Sequence, residues 1–220
     1  MIPLRDVIPS RTTPYIVITI IVLNGLAWLL ELSLPDDVLP VFLQTYGVVP
    51  AHFTPATLIT SMFLHGSWMH ILGNMWYLWI FGDNVEDRFG HGRFIIFYLL
   101  CGIIAALGQI VIDPSSNLPT IGASGAIAGV MGAYFVLYPR SRVLTLIPLI
   151  IIWEVVELPA IALLGFWFLM QLFSAGAIAV TASTGGGGVA FMAHVAGFLA
   201  GIVGVLVFRK RDVSPWEADY

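Results

Sequence analysis

Three short stretches of this sequence place reactive polar side chains among apolar residues. Ser124 lies in a Gly-Ala-Ser-Gly-Ala run, His194 in an Ala-His-Val-Ala-Gly run, and His70 precedes Asn74 by four positions. A serine hydroxyl is a weak nucleophile until a base takes its proton, and histidine suits that task near neutral pH. Acyl transfer also needs hydrogen-bond donors for the oxyanion, which Asn74, His70 and the Ser124 backbone N–H can supply. The residue types therefore fit hydrolysis by a serine–histidine pair without a carboxylate.

The composition indicates the solvent in which these groups work. Of the 220 residues 59% are hydrophobic and 10% are charged, with a mean hydropathy of +0.94. Soluble domains carry about a quarter charged residues. An apolar excess of this size predicts a membrane protein in contact with the lipid bilayer. No basic cluster indicates nucleic acid, and Cys101, as a single cysteine, cannot form an internal disulfide.

Apolar runs near the length of about 20 residues that spans a bilayer define the expected elements. We predict an all-α membrane protein with six transmembrane helices, forming a single domain over 1–220 with its core at about 15–208. The segment between the fourth and fifth spans is expected to be short or bent near the surface. The six predicted spans are 15–34, 67–81, 94–112, 121–138, 159–178 and 189–208.

The basic residues give the predicted orientation. Lys and Arg concentrate on the cytoplasmic side of membrane proteins. With six spans and both termini cytoplasmic, all nine basic residues fall on the inner side, in the segments 1–14, 82–93, 139–158 and 209–220. The outer segments then contain none. This agreement supports six spans more firmly than it supports any single boundary.

The predicted orientation brings the reactive groups to one level. The fourth and sixth spans both run inward, and Ser124 and His194 lie three and five residues past their starts. At 1.5 Å per residue, both lie about 5–8 Å below the outer boundary. His70 and Asn74 lie at a similar depth on the second span. Water would reach this level from the outer side, and His65 and Ser67 are the predicted lining of its path.

Close approach of the fourth and sixth spans is also predicted. Gly125 and Gly129 repeat at an interval of four on one span, and Gly197 and Gly201 do so on the other. Small residues at this spacing let helix backbones approach closely in lipid. If the two stripes face each other, Ser124 and His194 come within hydrogen-bonding reach.

These motifs together resemble the rhomboid family of intramembrane serine proteases. The similarity rests on Gly122-Ala123-Ser124-Gly125, on His70 and Asn74, on Ala193-His194-x-x-Gly197, and on the run 82–90 that resembles the family's inner turn. The resemblance implies a six-helix bundle with Ser124 as nucleophile and His194 as general base. It implies an oxyanion hole of Asn74, His70 and the Ser124 N–H, transmembrane protein substrates, and no cofactor or metal. It also implies a gate at the fifth helix and a cap at Gly185-Gly186-Gly187-Gly188.

Two positions depart from the family pattern. Family members often carry an aromatic residue four positions after the serine, stacked on the histidine, where this chain has Ala128. His194 must then be oriented by Phe191 or by a neighbouring helix. A Trp-Arg pair that is frequent in the first outer segment is replaced by Pro55-Ala56-Thr57.

Other interpretations remain open at the level of sequence. Ser124 could bond back to its own helix, and His65, His70 and His194 could bind a metal, although no acid lies nearby. The chain could also be an inactive rhomboid-like protein that binds membrane helices, or a small transporter. The short tails favour a compact bacterial enzyme of the cytoplasmic membrane, with its active site near the outer face.

Overall fold

The computed structural model describes residues 1–149, 152–181 and 190–210, and it is mostly helical there. The α-helices of the described part, in chain order, are α1 (Tyr15–Ser33), α2 (Leu39–Tyr46), α3 (Thr57–Thr60), α4 (Trp68–Phe89), α5 (His91–Ile112), α6 (Ser124–Leu137), α7 (Ala160–Thr181) and α8 (Phe191–Phe208). By length and apolarity, α1, α5 and α8 are the three described helices that could cross a membrane, and α6 and part of α7 are shorter apolar helices. The count of six spans and the cytoplasmic location of the termini stay predictions.

The long helices follow the predicted spans closely, with one exception. Five predicted spans agree with α1, α5, α6, α7 and α8 to within three residues at either end. The second span was expected to stop at Phe81, but α4 continues to Phe89 and the chain turns only at Gly90, where φ is +81°. The inner turn expected at 82–90 is therefore helical until its last residue.

A buried acid explains the extension of α4. Glu86 is fully buried, and its carboxylate accepts hydrogen bonds from the backbone N–H groups of Ile16 and Val17 at 3.0 and 2.8 Å. The first N–H groups of a helix have no partner within that helix, so Glu86 caps the start of α1. His91 lies 2.5 Å from the same carboxylate. The charged end of α4 therefore packs against the start of α1.

A small sheet corrects the expectation of an all-α protein. Three antiparallel strands pair in the order β1 (Ile2–Asp6), β2 (Arg142–Leu149) and β3 (Ile152–Pro159). They occupy the segment expected to be short or bent and the N-terminal segment expected to be a tail. β2 pairs with β3 from Arg142 opposite Pro159 to Leu149 opposite Ile152.

The residues of β2 explain why a sheet forms here. Its β-branched residues Val143, Thr145 and Ile147 favour a strand. Val143 and Thr145 are fully buried and alternate with the more exposed Arg142 and Leu144, which is the period of two that a strand requires. The apolar stretch as a whole is long enough to resemble a membrane helix, and this resemblance concealed the period of two.

A polar cluster ties the sheet to the helices. The Tyr134 hydroxyl donates to Asp6 Oδ2 at 2.7 Å and lies 3.0 Å from Ser141 Oγ. Burial raises the pKa of Asp6 to about 7, the carboxyl of Asp83 adds to the rise, and the hydrogen bond from Tyr134 opposes it. The cluster therefore holds a carboxyl whose protonation changes near neutral pH.

Asp6 is expected to make the stability of the fold depend on pH. Its pKa is about 7 in the folded protein against a reference of 3.8, so the folded state binds the proton more tightly. Stability should therefore fall as pH rises from about 4 to about 7 and level off above that range. Asp6→Asn should flatten this dependence of the thermal unfolding midpoint in detergent. Asp37→Asn, at an exposed position, is the control, and equal pH dependence in Asp6→Asn and wild type would contradict the assignment.

The core of the molecule lies around α6. All residues of α6 from Gly125 to Tyr134 are buried, and α6 packs against α4, α5, α7 and α8. A Cβ atom added to Gly197 would overlap the backbone carbonyl of Gly125, and one added to Gly201 would overlap that of Gly129. The two glycine stripes of the sequence thus face each other, and α6 and α8 touch backbone to backbone.

Candidate active site

The first residue of α6 is Ser124, and a sharp turn of the chain places it there. Gly122 has φ of +119°, a conformation that residues with a Cβ rarely adopt, and its N–H donates to the Ser61 carbonyl at 2.8 Å. His194 lies in the first turn of α8, next to α6. The result is a distance of 2.8 Å between Ser124 Oγ and His194 Nε2.

The opposite side of the His194 ring contacts α7. Its Nδ1 lies 2.8 Å from Oε1 of Gln171, and the Trp167 ring lies 5.7 Å from the imidazole, inclined by 37°. From the sequence, two candidates could orient His194 in place of an aromatic at position 128, Phe191 or a neighbouring helix. The contacts of the ring are with the neighbouring helix, α7. Neither Trp167 nor Gln171 was singled out from the sequence. An amide within an otherwise apolar span was the available signal, since polar groups in a bilayer need a partner.

Asn74 and His70 lie beside the turn that precedes Ser124. A Cβ atom added to Gly122 would lie 2.6 Å from His70 Nε2 and 3.6 Å from Asn74 Nδ2. Both nitrogens therefore face the backbone two residues before the serine. The Gly66 N–H donates to His70 Nδ1 at 3.4 Å, so a neutral His70 carries its proton on Nε2. The side that faces the turn is consequently a donor.

His65 lies outside the cavity described below, and its predicted role in water access stays a prediction. His65 is only 1% exposed, and it is not among the residues that line the cavity described below. Its N–H donates to both carboxylate oxygens of Glu31 at 3.1 and 3.2 Å, and its Nε2 lies 3.0 Å from Asn74 Nδ2. His65 therefore connects buried Glu31 to Asn74. Glu31, the one acid within the first span, was not considered for the site.

Ser67 does lie at the cavity, and it has a second contact. Its hydroxyl accepts a hydrogen bond from the His70 N–H at 3.2 Å and so caps the start of α4. Serine is a preferred residue at that position because its oxygen satisfies an otherwise free N–H group. The cap fixes the first turn of α4, which carries His70.

A cavity of about 860 Å³ joins these groups. Exposed Ser67 and Leu118 are part of its wall, so the cavity reaches the surface. Its lining combines polar groups with small and apolar side chains, including Ser124, His194, His70, Asn74, Gly102, Ala105, Met131 and Trp167. The cap predicted at Gly185-Gly186-Gly187-Gly188 lies outside the described residues.

Ser124 and His194 lie 2.8 Å apart within a helical bundle, and comparison with known proteins gives the family. The sequence matches the family model of the Rhomboid domain over residues 52–211. This match covers most of the chain. The chain belongs to the rhomboid family and is an integral membrane protein.

The individual relatives are distant. The chain is 29% identical over 207 residues to Rhomboid-like protein 11, chloroplastic, of Arabidopsis thaliana, covering 89% of this chain and 69% of the relative. It is 34% identical over 124 residues to the Putative rhomboid protease YdcA of Bacillus subtilis, covering 54% of this chain and 61% of the relative. The match to the Rhomboid protease GluP of the same bacterium is 41% over 76 residues, covering 34% of this chain and 14% of that protein. The chain therefore spans well under the full length of several relatives.

Proposed function

We propose that this protein is a serine endopeptidase that hydrolyses peptide bonds in or near the transmembrane segments of other membrane proteins. The observation that carries the proposal is the 2.8 Å contact between Ser124 Oγ and His194 Nε2 at the wall of a cavity open to the surface. Proteins of the rhomboid family act on transmembrane substrates within the bilayer, which supports the substrate class.

The first half of the reaction forms an acyl-enzyme. His194 Nε2 takes the hydroxyl proton of Ser124 while Oγ bonds to the carbonyl carbon of the scissile peptide, and the carbonyl electron pair moves to its oxygen. As the tetrahedral species collapses, the C–N bond breaks and the proton on Nε2 passes to the leaving amine. The acyl group then remains as an ester on Ser124.

The second half needs water at the same place. A water molecule gives its proton to His194 Nε2 and attacks the ester carbon, after which Oγ leaves and regains the proton. A continuous bilayer would exclude that water. The cavity passes from the exposed side chain of Ser67 to Ser124, and it supplies a route from one face.

The negative oxygen of the tetrahedral species needs donors within about 3 Å. We assign the Nδ2 group of Asn74, the Nε2–H group of His70 and the backbone N–H of Ser124 to this task. Support comes from the positions of the two side chains beside Gly122. The Ser124 N–H adds to it because the first N–H groups of α6 have no helical acceptor.

The orientation of the site in the cell is also a proposal. The distribution of Lys and Arg puts the catalytic pair near the extracytoplasmic face. The relatives named above come from a chloroplast and from a bacterium, so they support a membrane location without favouring the bacterial inner membrane.

The test compares wild type with Ser124→Ala in detergent micelles, each incubated with a model substrate that carries one transmembrane segment. Cleavage in or beside that segment by wild type, abolished in Ser124→Ala, is the expected result. Ser33→Ala is the matched control, because Ser33 is exposed and its hydroxyl donates to Leu30 of its own helix.

Two other outcomes would contradict the proposed function. Equal cleavage by wild type and Ser124→Ala would overturn the assignment of the nucleophile. Retained binding of the substrate segment without cleavage by wild type would favour an inactive rhomboid-like protein that binds membrane helices.

A further inference from the structure

We propose that Gln171 is a positioning residue that holds His194 in the tautomer a general base requires. The inference rests on the proposed function, because it assigns a third member to the serine–histidine pair. Its basis is the contact of 2.8 Å between Gln171 Oε1 and His194 Nδ1. A neutral imidazole carries one proton, on either Nδ1 or Nε2, and only an unprotonated Nε2 can accept the proton of Ser124.

The amide oxygen of Gln171 selects the productive form. It can accept a hydrogen bond but cannot donate one, so the contact requires the His194 proton to be on Nδ1. The lone pair of Nε2 then points at Ser124 Oγ, 2.8 Å away on the opposite side of the ring. In a Ser-His-Asp triad a carboxylate fixes the tautomer in this way. Here a neutral amide does so without placing a charge in the bundle.

Trp167 limits the remaining freedom of the ring. Trp167 and Gln171 are four residues apart and therefore share a face of α7. The Trp167 ring lies 5.7 Å from the imidazole at an inclination of 37°, and it also contacts the Phe198 ring at 6.0 Å. The Trp167 ring lies against one face of the imidazole, and the Gln171 amide contacts its Nδ1 edge. Trp167 and Gln171 thus orient His194, a role that Ala128 cannot fill because it has no aromatic ring to stack on the imidazole.

The role differs from simple packing because it depends on an acceptor atom and not on volume. Gln171→Leu keeps a side chain of similar size and removes the acceptor, whereas Gln171→Glu keeps an acceptor in the same place. Met170→Leu is the matched control, since Met170 is adjacent in α7 and exposed.

The first measurement is the tautomer of His194 itself, read from the nitrogen NMR shifts of histidine-labelled protein in micelles and assigned with His194→Ala. Wild type and Met170→Leu should show the proton on Nδ1, and Gln171→Leu should show a mixture of tautomers. This measurement needs no cleavage, so a failure of the proposed function would not disturb it. The same tautomer population in Gln171→Leu and wild type would overturn the proposal.

The second measurement is the cleavage rate as a function of pH. Gln171→Leu should lower kcat about tenfold, the rate equivalent of one neutral hydrogen bond, and leave KM unchanged. Gln171→Glu should restore most of kcat and move the acidic limb of the pH–rate profile to higher pH, because a carboxylate favours the protonated imidazole. Equal losses in the Leu and Glu variants would mean that the side chain acts by its shape, which would overturn the role of the acceptor.

Discussion

Gly201→Ala is expected to destabilise the protein by about 3 kcal/mol or more, the upper end of the usual cost of overpacking a core. The added methyl group would overlap the carbonyl oxygen of Gly129 and would also lie 2.6 and 2.8 Å from the carbonyl carbon and Cα of that residue. All three are backbone atoms of a buried helix and cannot rotate away as a flexible side chain can. The helices α6 and α8 would have to separate along the contact that carries Ser124 and His194.

The measurement is the midpoint of thermal unfolding in detergent micelles, together with the cleavage rate. Gly25→Ala is the matched control, because nothing lies within 4 Å of a Cβ built at Gly25. That variant should be neutral or more stable by up to about 1 kcal/mol, the difference in helix propensity between alanine and glycine. Equal unfolding midpoints for the two variants would contradict the backbone contact between α6 and α8.

His194→Ala is expected to lower kcat by about 10⁴-fold or more, the usual effect of removing the base of a serine hydrolase. The reason is that Ser124 Oγ then has no acceptor for its proton. Because the two residues act as one unit, the double variant Ser124→Ala/His194→Ala should be no slower than the slower single variant. The measurement is single-turnover cleavage of the model substrate at saturating enzyme.

The control for His194→Ala is His52→Ala, at an exposed histidine, which should keep the wild-type rate. Losses that multiply in the double variant would show that Ser124 and His194 act independently. That result would contradict the assignment of Ser124 and His194 as a catalytic dyad, and it would not affect the family assignment.

The sequence was sufficient to predict six of the eight described α-helices and the close approach of Ser124 and His194. The apolar runs are long, so their ends agree with the helix ends to within three residues for five of the six spans. Ser124 and His194 could be paired because each is a polar residue at the start of an inward-running span, with glycine at intervals of four after it. Depth along a helix follows from counting residues, and counting does not require knowledge of the fold.

The remaining contacts depend on the rotation of each helix, which counting does not give. Gln171 is 23 positions from His194, and His65 is 34 positions from Glu31. Whether such pairs face each other depends on the packing angles of separate helices. His65 was assigned to a water path because it is polar and near the outer end of α4. Its backbone N–H instead donates to buried Glu31 on α1, and its side chain is buried.

The sheet was missed for a different reason. A continuous apolar stretch such as 143–158 is compatible with a buried strand or a helix, and only its length and alternation separate the two. Val143 and Thr145 face the core in strand β2, an alternation that was masked by Leu144 and Leu146 on the other face.

The backbone contact between α6 and α8 has a consequence for how this protein can change over evolutionary time. At Gly197 and Gly201 even the smallest side chain meets backbone, whereas Gly25, Gly73 and Gly92 have nothing within 4 Å of an added Cβ. The two groups of glycines are indistinguishable by composition, yet a side chain at the first would have to displace backbone and one at the second would meet no neighbour. Replacements that preserve the fold are therefore expected on the surrounding helices, while the contact between α6 and α8, which carry the serine–histidine pair, remains fixed.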